Sequence, residues 1–188
     1  MEYKQYQKSR NLAWEILLRE KVHSLPVDVV VLCRNMGIRV VEYEEPRPDT
    51  GDGFSCILNG TPHICIERTD NRARQRFTIA HELGHILLGH IDQKGLVNRE
   101  PSPQDNPIEQ AANTFAARLL SPACVLWGCG ASSAAEITAL CDISLTAATY
   151  RWERIQVLLA RDKFLSSPLE RKVYRQFSKY IKTYRRGQ

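Results

Sequence analysis

Thr69-Asp-Asn-Arg-Ala-Arg-Gln-Arg-Phe-Thr-Ile-Ala-His-Glu-Leu-Gly-His-Ile-Leu-Leu-Gly-His90 is the stretch that decides the fold. It predicts one helix, capped at its start by Asp70 or Asn71 and ended by Gly89. His81 and His85 lie four residues apart, so their imidazoles share a face about one turn apart, with Glu82 beside the first. This is the HExxH pattern, in which one divalent ion takes both histidines and the glutamate faces its open side. Phe77, Ile79, Leu83, Ile86 and Leu87 spread round the rest of the helix, which predicts burial and a rigid mount. Gly84 inside the motif costs about 1 kcal/mol of helix propensity and points to close backbone packing near a site.

A third ligand is required, and His90 is the nearest candidate. It misses the metzincin spacing, which places glycine and histidine at 88 and 91, where this chain has Leu88 and Ile91. Five residues beyond His85 is about 500° round a helix, so direct ligation by His90 is disfavoured, and it is read either as a cap or outer partner or as a plain surface or core residue. Asn106-Pro-Ile-Glu-Gln-Ala-Ala-Asn-Thr-Phe-Ala-Ala-Arg-Leu-Leu-Ser-Pro122 offers a better one. Asn106 caps it, Pro107 takes the first helical position and Pro122 ends it. Glu109, Ala112, Ala116 and Leu119 share a face, as expected of a helix pressed against another with its carboxylate turned inward. Two His and one Glu make a usual catalytic zinc set. The alternative is a Glu109 that merely favours the positive end of its own helix.

The two blocks, Arg76 to His85 and Glu109 to Pro122, resemble the ImmA/IrrE-type family of bacterial and phage zinc metallopeptidases, over about residues 25 to 155. The resemblance implies zinc on His81, His85 and Glu109 and a general base at Glu82. The commoner family form has a second acidic residue where this chain has Ala111, and Met where it has Ser121; neither departure removes a ligand.

Composition agrees with a small enzyme. The 188 residues are 43% hydrophobic and 25% charged, enough for one domain and an extension. No apolar run reaches membrane-spanning length and the N-terminus lacks a signal-peptide core, so a cytoplasmic location without membrane association is expected. Cys33, Cys56, Cys65, Cys124, Cys129 and Cys141 form no CxxC pair and read as reduced packing residues.

Residues 9–22 predict an amphipathic helix with Leu12, Ile16 and Leu17 inward. A second helix is expected over 26–36, started by Ser24 and Pro26 and stopped by Gly37, then a strand over 38–42 and a loop over 44–52. Segments 54–58 and 63–67 bracket Asn59-Gly60, a strong hairpin signal. The fold class is therefore α+β: a mainly helical, zincin-like domain with a small antiparallel sheet or hairpin before the HExxH helix. Segment 91–105 reads as a surface loop walling the cleft. A glycine-broken turn at 128–130 precedes a helix boxed by Ser133 and Glu136, and another runs from Ser144 to about Lys163 with Leu145, Ala148, Trp152, Ile155 and Leu159 as its packing stripe. Residues 151–188 carry eleven Lys or Arg against three Asp or Glu, so the chain's +5 charge belongs to its tail, where a helix carries Tyr174, Phe177, Ile181 and Tyr184 on one stripe. The expected divisions are an N-terminal helical extension at 1–24, the metallopeptidase domain at 25–165 and a basic amphipathic helix at 166–188.

The leading expectation is a zinc endopeptidase acting on a cytoplasmic protein. By resemblance, the substrate is a separately encoded helix-turn-helix repressor or stress regulator, and direct nucleic-acid contact by this chain is disfavoured. His63, His90 and Tyr150 are candidates for support of the metal ligands or of the oxyanion. Two alternatives stand beside it. One is a zinc-stabilised binding or antitoxin-like module, in which His90 or a cysteine fills the fourth metal position; the other is a zinc hydrolase of a small amide.

Overall fold

The structure is a computed structural model describing residues 3–44, 53–91 and 106–187. The expected loops at 44–52 and 91–105 lie almost wholly outside the described residues. The chain groups into two compact units: Met1–Ser9 with Asp28–Ala116, and Arg10–Val27 with Ala117–Gln188. Helices α1 (Tyr3–Arg19) and α4 (Pro107–Leu120) are each divided between the two. No helix among the described residues is long and apolar enough to cross a membrane.

The first unit holds α2 (Val29–Asn35), β1 (Arg39–Tyr43), β2 (Gly53–Leu58), β3 (Thr61–Glu67) and α3 (Arg72–Leu88). Helix α2 starts later than Ser24 and Pro26 suggest, because the Asp28 carboxylate accepts the Val31 N–H and caps it there. The sheet has the order β1-β3-β2. Strands β2 and β3 form the expected hairpin, with Leu58 opposite Thr61 and Asn59 and Gly60 both at positive φ, the backbone of a type I′ turn. Strand β1 lies parallel to β3, with Arg39 opposite His63, so the three-stranded sheet is mixed while its hairpin is antiparallel.

Helix α3 packs on β2 and β3. The Asn71 side chain accepts the Arg74 N–H at its start, and Gly89 closes it at φ 77°. Its most buried run is 78–85, the HExxH segment itself, while Phe77, Ile86 and Leu87 are half-buried. The HExxH helix, laid on a small sheet, thus carries its polar motif, not just its apolar residues, into the interior.

In the second unit, α5 (Ala123–Cys129), α6 (Ala134–Cys141), α7 (Leu145–Ala160), α8 (Pro168–Gln176) and α9 (Ser178–Arg186) follow the end of α4. Helix α5 occupies part of the expected glycine-broken turn. Gly128 lies inside it because a Cβ there would meet Tyr174 and Ile181 at 2.7 and 2.8 Å; the break comes at Gly130, φ 80°. On α7 the buried stripe is Ala148, Arg151 and Ile155, whereas Leu145 and Leu159 are exposed. Arg151 explains the shift: its guanidinium turns inward and donates to the Ser121 carbonyl at the end of α4. The expected tail helix is two helices broken at Phe177, and Val173, Phe177 and Ile181 are buried. The tail packs on α5, with Trp127 stacked on Phe164 and tilted against Tyr174.

Candidate metal centre

Two helices bring the site together. A Cβ at Gly84 would stand 3.0 Å from the Phe115 ring and 3.3 Å from the Ala112 Cα, so glycine lets α3 and α4 approach at backbone distance. Ala112 is fully buried, and Glu109, one turn earlier on α4, faces His81 and His85 on α3.

The three side chains converge through specific atoms. The Nε2 atoms of His81 and His85 are 3.0 Å apart, and the two Glu109 oxygens lie 3.2 and 3.4 Å from them. All three potential ligand atoms fall within 4.8 Å of one another.

The far sides of both rings are also engaged. His81 Nδ1 is 3.0 Å from the Asn113 amide oxygen, which accepts an N–H and therefore places the ring proton on Nδ1. His85 Nδ1 is 3.3 Å from His90 Nδ1. Burial, then His85 and Lys8, push His90 down to about 4, so it is neutral near pH 7 and its Nδ1 can accept the His85 proton. Both tautomers then aim an Nε2 lone pair at the Glu109 carboxylate. Three acceptors converging without a donor repel one another unless a cation sits between them, so the donor set fits a divalent metal, and the contacts at both Nδ1 atoms leave the Nε2 atoms for it.

Glu82 is fully buried beside the cluster, and its Oε2 accepts the Ser55 hydroxyl at 2.8 Å. His63 is half-buried on β3, with Nδ1 2.9 Å from the carbonyl of Thr61. Tyr150 belongs to the second unit, where it is 70% exposed on α7. Sequence reading missed Asn113 and Ser55. Asn113 was within reach, since it sits one turn beyond Glu109 on the same face of α4; Ser55 carries no such signal, because only the packing of β2 on α3 brings it to Glu82.

The cluster and motif together are consistent with an HExxH-type zinc metallopeptidase active site. Comparison with known families supports this: the sequence model for Peptidase M78, described as the IrrE N-terminal-like domain, matches residues 33–152. No curated protein matches the chain.

Proposed function

The chain belongs to the family defined by the IrrE N-terminal-like domain, and from that premise we propose that it is a zinc endopeptidase cutting a separately encoded helix-turn-helix regulator. The observation carrying the proposal is the convergence of His81, His85 and Glu109 with Glu82 next in sequence to the first ligand. His81, His85 and Glu109 would hold the zinc, with Asn113 and His90 fixing the two rings. Bound zinc supplies Lewis acidity toward a carbonyl oxygen and makes water a usable nucleophile near neutral pH.

The remaining work falls to the chain. Glu82 takes the proton of the attacking water and returns it to the leaving amine, a role suited to a carboxylate held rigidly on the ligand helix. Strand β2 stands at the end of the sheet, so an extended peptide can pair with its main chain, which favours a polypeptide over a small amide. His90 meets His85 at the ring nitrogen opposite the one facing Glu109. That position suits an outer partner rather than the fourth ligand that a purely structural zinc module needs.

The test is to incubate zinc-loaded wild type and E82Q with the helix-turn-helix regulators encoded near its gene and to map new termini by mass spectrometry. A cut made by wild type alone identifies the reaction and target. Equal binding of a regulator by both proteins without cleavage returns the reading to a binding module.

A further inference from the structure

Strand β2 and helix α3 lie in step. Gly53 and Ser55 occupy the same face of β2, two residues or about 6.6 Å apart, and they meet Thr78 and Glu82, four residues or about 6 Å apart on α3. The approach is as close as backbone allows, since a Cβ at Gly53 would stand 2.4 Å from Thr78 Cγ2 and 2.7 Å from the Cys65 carbonyl oxygen. Gly53 thus sets the strand's distance from the helix, and Ser55, itself fully buried, delivers its hydroxyl to Glu82 Oε2.

We propose that Ser55 is a positioning residue for the general base, tying the orientation of the Glu82 carboxylate to the strand that receives the substrate. This rests on the peptidase reading above. A carboxylate at the end of a glutamate side chain turns about a broad, nearly free terminal torsion. A buried hydroxyl donating to one oxygen stops that rotation before substrate arrives, and does so from the element against which the peptide pairs. A misplacement of about 1 Å in such a group lowers turnover by about 100-fold.

The experiment compares wild type, Ser55→Ala and Ser55→Cys. Cysteine fills the space of serine but is a weak donor, so it separates packing from hydrogen bonding. Both variants should keep wild-type zinc affinity and KM for the regulator that wild type cuts, while kcat falls about 10- to 100-fold. In metal-free protein labelled with ¹³C-glutamate, the carboxylate stretch identified by its loss in E82Q should shift in both variants. Wild-type turnover in S55C, an unshifted carboxylate band, or loss of zinc from S55A would each overturn the proposal. If zinc-loaded wild type cuts no regulator, the peptidase reading falls and takes the kinetic role of Ser55 with it; the infrared result, obtained without metal or substrate, tells that failure apart from a missing hydrogen bond.

Discussion

The two units bury polar side chains to opposite ends. In the second, the buried Arg151 donates to the Ser121 carbonyl at the end of α4, and the buried Glu170 accepts the Ser166 N–H while Ser167 caps the Glu170 N–H. These groups satisfy the backbone of helix termini, which is where orphan donors and acceptors arise. In the first, His81, Glu82 and His85 are buried on the middle of a helix whose own backbone is already paired, and their side chains address one another, Glu109, Asn113, His90 and Ser55. Charge separates the units too. The second carries fifteen Lys or Arg against seven Asp or Glu, a net +8, while the first carries eleven against fourteen, a net −3. Buried polarity that caps backbone is architecture; buried polarity whose acceptors converge without a donor indicates a ligand.

The contrast breaks hardest at Glu82. E82Q should lower peptide hydrolysis by about 100- to 10,000-fold while zinc content, measured by elemental analysis, stays at the wild-type level. Retained cleavage by E82Q would remove the proposed base. His81→Ala or Glu109→Gln should instead lower zinc affinity, by more than the effect of any outer partner. Asn113→Ala should cost about 10- to 100-fold in affinity, read by competition with a chromophoric chelator. Equal zinc affinity in wild type and N113A would show that the ring of His81 needs no anchor.

A matched pair of glycine changes sharpens the comparison. Gly84→Val crowds α3 against Phe115 and Ala112, and should destabilise by about 1–3 kcal/mol and also weaken zinc, because the same spacing places Glu109. Gly128→Ala meets Tyr174 and Ile181, and should destabilise by a similar amount with zinc affinity unchanged. Denaturant melts and zinc titrations on both variants decide it; zinc loss in folded G128A would mean that the units do not divide architecture from site as described. The smallest effect belongs to the exposed cations of the tail. Lys179→Ala with Lys182→Ala should move stability by no more than about 0.5 kcal/mol per site. A larger drop would place those lysines in the architecture of α9.

Much of this was legible in the chain itself. HExxH at 81–85 rests on helical spacing, the hairpin on Asn59-Gly60, and α3 and α4 on Asn71, Gly89, Asn106 and Pro107; each is a local rule acting within a few residues, and each element formed as read. Glu109 was reachable because its lone carboxylate among alanines had a limited range of explanations, and the resemblance to a known family supplied the pairing.

Tertiary packing decided the rest. Helix α5 formed through Gly128 because Tyr174 and Ile181, some fifty residues away, occupy the space a side chain would fill. The inward face of α7 turned on Arg151 finding a carbonyl thirty residues back, which apolar periodicity does not encode. His90 misses the metzincin spacing, and of the places left open for it the structure puts it at the far nitrogen of His85, since Gly89 in the left-handed region turns the chain back at the helix end. Ser55 is an ordinary strand serine until β2 settles on α3, its distance fixed by Gly53 against Thr78. Sequence determined which chemistry the protein holds, because ligand spacing along a helix is local. Only the folded structure brought Ser55 to Glu82 and Asn113 to His81, because a hydrogen bond between elements distant in sequence depends on a close approach that no local pattern records.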